Sequence, residues 1–165
     1  MSHLATYLQD HYAGSTTGVE LAKRLASNNE GDAEFGAPAA RLAIEIGEDR
    51  DELRRIMARL DVDEARVKAT VAWSLEKVSR LKPNGRFLRY SPLSRVVELE
   101  GLITGVSGKL SLWRSLIEIA PNEPRLDEDS LTRLAERAED QLLRLHALRG
   151  AAAVIAFGHA YAHMS

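Results

Sequence analysis

The side chains Val96, Leu99, Ile103, Val106, Leu110, Trp113 and Ile117 recur at alternating steps of three and four residues. That spacing follows one face of an α-helix and cannot follow one face of a strand, whose side chains alternate. Three further stripes repeat it. They read Leu4, Leu8, His11, Ser15, Gly18, Ala22, Leu25; then Leu42, Ile46, Asp49, Leu53, Ile56, Leu60; and Leu131, Leu134, Ala138, Gln141, Leu145, Leu148, Ala152, Ile155. A chain with four such stripes must bury them against one another, which predicts an all-α fold. Composition agrees. Ala and Leu supply 46 of 165 residues, whereas Val, Ile and Thr together supply 22, too few for a sheet protein.

Start and stop signals set the boundaries. The first helix is expected from His3 to Asn28, and the polar, glycine-bearing stretch Asn28–Gly36 is read as a loop. Pro38 suits the first turn of a second helix, where its missing N–H costs nothing. Asp63 is placed to cap a short third helix carrying Val67, Val71, Ser74, Val78 and Leu81, which Pro83 stops. Ser91-Pro92 starts the fourth helix, and Pro121 and Pro124 end it. Asp127, Glu128 and Asp129 place negative charge at the start of the fifth, which suits its dipole. The tail 158–165 is expected to fray. The expected architecture is a single domain over 1–165. It is an antiparallel four-helix bundle of helices one, two, four and five, with the shorter third helix inside a long crossover.

The helix pattern, with Asp10-His11-Tyr12-Ala13-Gly14 on the first helix and Ser91-Pro92-Leu93-Ser94-Arg95 opening the fourth, resembles the ferritin-like superfamily. The local text is similar to that of bacterial helical proteins of unassigned function. The resemblance implies two hairpins joined by one long crossover, around a centre able to hold metal. The residues depart from it at the metal. Di-iron bundles need Glu-x-x-His, and the positions three before His11, His146, His159 and His163 are Leu8, Leu143, Ala156 and Ala160. His159 and His163 have the spacing of a helical metal pair, but they lie in the tail with no third ligand in view. No metal and no cofactor is therefore expected. The absence of cysteine excludes disulfides, thiolate–zinc and iron–sulfur sites, and a cysteine nucleophile.

Polar residues on apolar stripes carry the functional signal, because a buried charge must be paired or face a wet cavity. His11 and Asp49 break two stripes, and Gln141 breaks a third. With helices one and two antiparallel about residue 33, Asp49 should face the level of Ser15, about one turn from His11. The candidate polar centre is His11, Glu45, Asp49, Glu100 and Gln141. It serves either as a structural network that fixes helix register or as a ligand site. Gly14 and Gly18 on the first helix, with Gly101, Gly105 and Gly108 on the fourth, mark either close helix crossing or a cavity.

Charge limits the partners. The formal net charge is -2, which gives no overall attraction to nucleic acid or anionic membranes. Residues 77–95 hold Lys77, Arg80, Lys82, Arg86, Arg89 and Arg95 without an acid, interleaved with Phe87 and Tyr90. Pairing with acidic surface is preferred to a nucleic-acid site for this stretch. No transmembrane run and no secretory leader is expected, so the expected location is cytoplasmic. Leu102, Leu112 and Leu116 widen the apolar surface of the fourth helix, which suggests burial on more than one side and a homodimer. The expected function is that of a non-catalytic bundle acting through self-association or partner binding. The alternative is a small-ligand binder or enzyme using His11, Glu45 and Asp49. No Gly-rich phosphate loop and no Gly-x-Ser-x-Gly elbow is present.

Overall fold

The computed structural model describes residues 2–63 and 90–158. Among them stand four long helices, α1 (His3–Asn28), α2 (Gly36–Arg59), α3 (Pro92–Ile119) and α4 (Glu128–Phe157), with a 3-10 turn over Ala120–Asn122. The described residues contain no strand. The expected third helix, most of the basic stretch, and His159 and His163 lie outside them.

The caps explain the starts. Ser91 accepts a hydrogen bond from the Ser94 amide at 3.2 Å, with Pro92 in the first turn of α3. Asp127 does the same for the Ser130 amide of α4 at 3.2 Å. Before α2 stands a turn the sequence reading did not find. Asp32 Oδ1 accepts from the amides of Glu34 at 2.9 Å and Phe35 at 3.0 Å, and this turn leads into α2 at Gly36, with Pro38 in its first turn. The tight turn also requires Gly36. A Cβ there would sit 2.8 Å from the Asn29 carbonyl oxygen.

Cross-links between helices fix their directions. The Gln9 amide donates to the Asp63 carbonyl at 2.7 Å, so α1 starts where α2 ends. Arg24 meets Glu98 at 2.7 Å and Tyr7 meets Ser115 at 3.4 Å, so α3 runs opposite to α1. Arg125 meets Asp61 at 3.2 Å, while Arg144 reaches Glu45, so α4 runs opposite to α2. The order is up, down, down, up, so α2 ends and α3 begins at opposite ends of the bundle. One core unites all four helices, with Leu8, Leu25, Leu42, Ile56, Leu99, Leu116 and Leu145 fully buried. Leu102, Leu112 and Leu116 are buried within the chain itself, since α3 packs on α1 on one side and α4 on the other. Their breadth is thus accounted for without a second copy. No helix among the described residues is long and apolar enough to cross a membrane.

A polar clamp ties the α1–α2 loop to α3. The buried Glu98 accepts from Arg24 and, at 3.0 Å, from the Tyr90 hydroxyl, which in turn accepts from Asn29 at 2.9 Å. Arg95 meets Asp32 at 3.0 Å and lies 4.0 Å from the Phe35 ring centroid. Tyr90 and Arg95, the two described members of the stretch that raised nucleic-acid binding, are therefore engaged inside the molecule.

Candidate functional site

The α1 stripe stops being apolar at its middle. Between Leu8 and Ala22 it offers His11, Ser15 and Gly18, and α3 answers with Gly101, Gly105 and Gly108. Small residues on both facing walls leave space. A cavity of about 490 Å³ opens there, within the ~300–1,000 Å³ common for small-molecule sites. Its walls are α1 and α3, and the inward face of α2 closes the bottom with Ile46, Asp49 and Leu53. Four of the five glycines are not required by close packing, and Gly14 and Gly105 are exposed, so the cavity opens to solvent beside them. A Cβ added at Gly14, Gly18, Gly105 or Gly108 would meet nothing within 4 Å. Gly101 alone is crowded, 2.9 Å from Leu21 Cδ2.

Beneath the cavity lies a buried ionic network. Asp49 is 1 % exposed. Its Oδ1 accepts from Arg137, and its Oδ2 accepts from Lys109 and, at 3.0 Å, from the Gln141 amide. Gln141, 0 % exposed, also takes a hydrogen bond from Lys109 on its carbonyl and reaches Glu45 at 3.4 Å. Glu45 is gripped by Arg144 and, at 2.9 Å, by Arg41. Burial pushes the Glu45 carboxyl up, and the hydrogen bonds from Arg144 and Arg41 outweigh it, leaving it below the ordinary range. The network satisfies Asp49 fully and joins α2, α3 and α4 at one level.

Of the five sequence-predicted residues, the structure brings Glu45, Asp49 and Gln141 together. His11 lines the cavity beside Asp49 but is not hydrogen-bonded to it, because Asp49 is turned toward the cations of α3 and α4. The ring of His11 instead stacks edge-on against Tyr7, centroids 4.5 Å apart. Burial lowers its pKa, against the pull of Asp10. Ser15 and Asp49 line the same cavity, as the antiparallel register predicts. Glu100 is not part of the site. It is exposed on α3 and only its backbone oxygen is engaged, by Thr104 at 3.0 Å.

Lys109, Arg137, Arg144 and Trp113 are the members that sequence reading missed. Lys109 carried a signal. It is the only ionisable residue between Glu100 and Arg114, and it interrupts a second stripe, Leu102, Val106, Lys109, Trp113, Leu116, whose other members are all buried. Burial lowers the pKa of its ammonium, while Asp49 works in the opposite direction. Trp113 is 0 % exposed, borders the same cavity, and leaves its indole N–H without a partner among the described residues.

Comparison of the chain with protein-family models, curated proteins and solved structures finds no match. The reading of this site therefore rests on its geometry. Among the described residues no three His, Asp or Glu side chains are grouped to hold a metal ion. The chemistry on offer is a mainly apolar hollow with hydrogen-bond donors at its base.

Proposed function

We propose that the chain is a small-molecule-binding helical bundle, with the α1–α3 cavity as its binding site. The observation that carries this reading is the unfilled space at Gly14, Gly18, Gly105 and Gly108, part of a mainly apolar cavity with Lys109 and Asp49 in its lining. Glycine inside a helix costs about 0.5–1 kcal/mol relative to alanine, and here no neighbour demands it. The up-down-down-up order and the long α2–α3 connection support grouping the bundle with ferritin-like folds, with a ligand hollow where those carry metal. A titration with 1-octanol followed by amide NMR tests the reading. Shifts are expected at Gly14, Gly18, Gly105 and Gly108. Shifts confined to other parts of the molecule, or none at millimolar alcohol, would refute it.

Self-association is a second reading, favoured by a different face. Leu143, Ala147, Gly150, Val154 and Phe157 follow steps of four and three along the outer side of α4, with Leu143 72 % and Val154 70 % exposed. An apolar stripe of that spacing suits a helix seam between two copies. Light scattering is expected to give a dimer that Leu143→Glu with Val154→Glu converts to monomer. A wild-type monomer at micromolar concentration would remove this reading.

A further inference from the structure

The hydrogen-bonding groups that border the cavity are unevenly supplied. Asp49 is its one buried acid, and both of its oxygens are already taken by Arg137, Lys109 and Gln141. The Ser15 hydroxyl is spent on the Tyr12 carbonyl at 2.7 Å and that of Thr104 on the Glu100 carbonyl. A donor, by contrast, is left over. Lys109 has three N–H bonds, and two are used, one on Asp49 and one on Gln141. The Trp113 indole N–H also lacks an acceptor among the described residues, but it has no accessible surface and is not open to the cavity.

The charges lean the same way. The inward part of the network sets two carboxylates, Asp49 and Glu45, against three cations, Lys109, Arg137 and Arg144. The outer partners Arg41, Glu48 and Asp140 are each more than half exposed, so water screens them far more than it screens the inner groups. The surplus cation belongs to the network behind the hollow; the lining itself sets Asp10 and Asp49 against Arg50 and Lys109, and Lys109 brings the spare donor. Burial of Lys109 without a full set of acceptors also works against its charged form, a cost that an incoming anion would relieve.

Resting on the reading of the cavity as a ligand site, we infer that its ligand is a small amphiphilic monoanion, a carboxylate on an aliphatic body. The headgroup accepts the free N–H of Lys109, and the chain lies along the glycine walls of α1 and α3. Charge-assisted bonds of this kind are the stronger class, so headgroup chemistry should dominate the ranking of ligands of equal length.

Calorimetry with octanoate, 1-octanol and octylamine on the wild-type protein tests the assignment. Octanoate is expected to bind at least tenfold more tightly than octanol, with octylamine weakest. Lys109→Met is expected to bring the octanoate preference over octanol below about threefold. Circular dichroism checks that this variant is folded, and the wild-type ranking decides the matter if it is not. Octanol or octylamine binding as tightly as octanoate overturns the anion assignment and leaves the cavity reading standing. Failure of all three to bind overturns the cavity reading itself.

Discussion

Replacing Asp49 with alanine is expected to destabilise the fold by about 3–5 kcal/mol, the range seen when one partner of a buried ion pair is removed. The loss does not come from the removed contacts alone. Lys109 and Arg137 would remain beneath the cavity with no acid between them, and the Gln141 amide would keep only its longer bond to Glu45. Arg137 retains Glu48 at 3.2 Å, but Glu48 is exposed and offers a screened pair. The measurement is urea unfolding of both proteins, compared at equal slope so that the midpoint shift reports stability. A decrease under about 1 kcal/mol would mean that the carboxylate behaves as an exposed one, and the network would lose its place as the element that joins α2, α3 and α4. A companion variant separates charge from shape. Asp49→Leu with Lys109→Leu removes an acid and a base together, and apolar replacement of a buried pair is often neutral or stabilising. It is expected to recover most of the loss from Asp49→Ala.

The helices were legible because their evidence is local. Step patterns, Ser91-Pro92 and Asp127 act within one or two turns, and α1, α3 and α4 fall where these signals place them. Pro38 falls in the first turn of α2, as read, but the turn that leads into the helix was not legible, because Asp32 makes it by reaching forward from inside the loop. Asp49, Glu45 and Gln141 could be picked out as polar positions near or within apolar stripes. Their partners were harder to find, because Arg137 and Arg144 stand at the edge of the buried face, where long charged side chains are ordinary. Whether the glycines marked a crossing or a hollow could not be read from one helix at a time. It depends on the distance between α1 and α3, and hence on the whole bundle. The breadth of α3 does not by itself call for a second copy. A helix packed on two neighbours of its own chain has the same wide apolar surface as one packed on a second copy.

Filling the cavity should separate folding from function most sharply. Gly105→Ala is expected to raise stability by about 0.5–1 kcal/mol, since the added Cβ meets nothing within 4 Å and the helix interior gains backbone order. Gly14 on the opposite wall should behave alike. Gly105→Leu together with Gly14→Leu places side-chain volume where an aliphatic ligand would lie. That double variant is expected to keep the helical circular dichroism spectrum, unfold at no lower urea concentration than the parent, and lose octanoate and octanol binding by at least a hundredfold. If the glycines instead exist for close packing of α1 on α3, alanine at 105 would lower stability, and leucine at both positions would splay the helices and broaden the unfolding transition. The two accounts differ in the sign of the alanine effect. The open walls hold a site if a more stable protein binds less, because the bundle then gives up helix stability at Gly14 and Gly105 for space that its own core does not use.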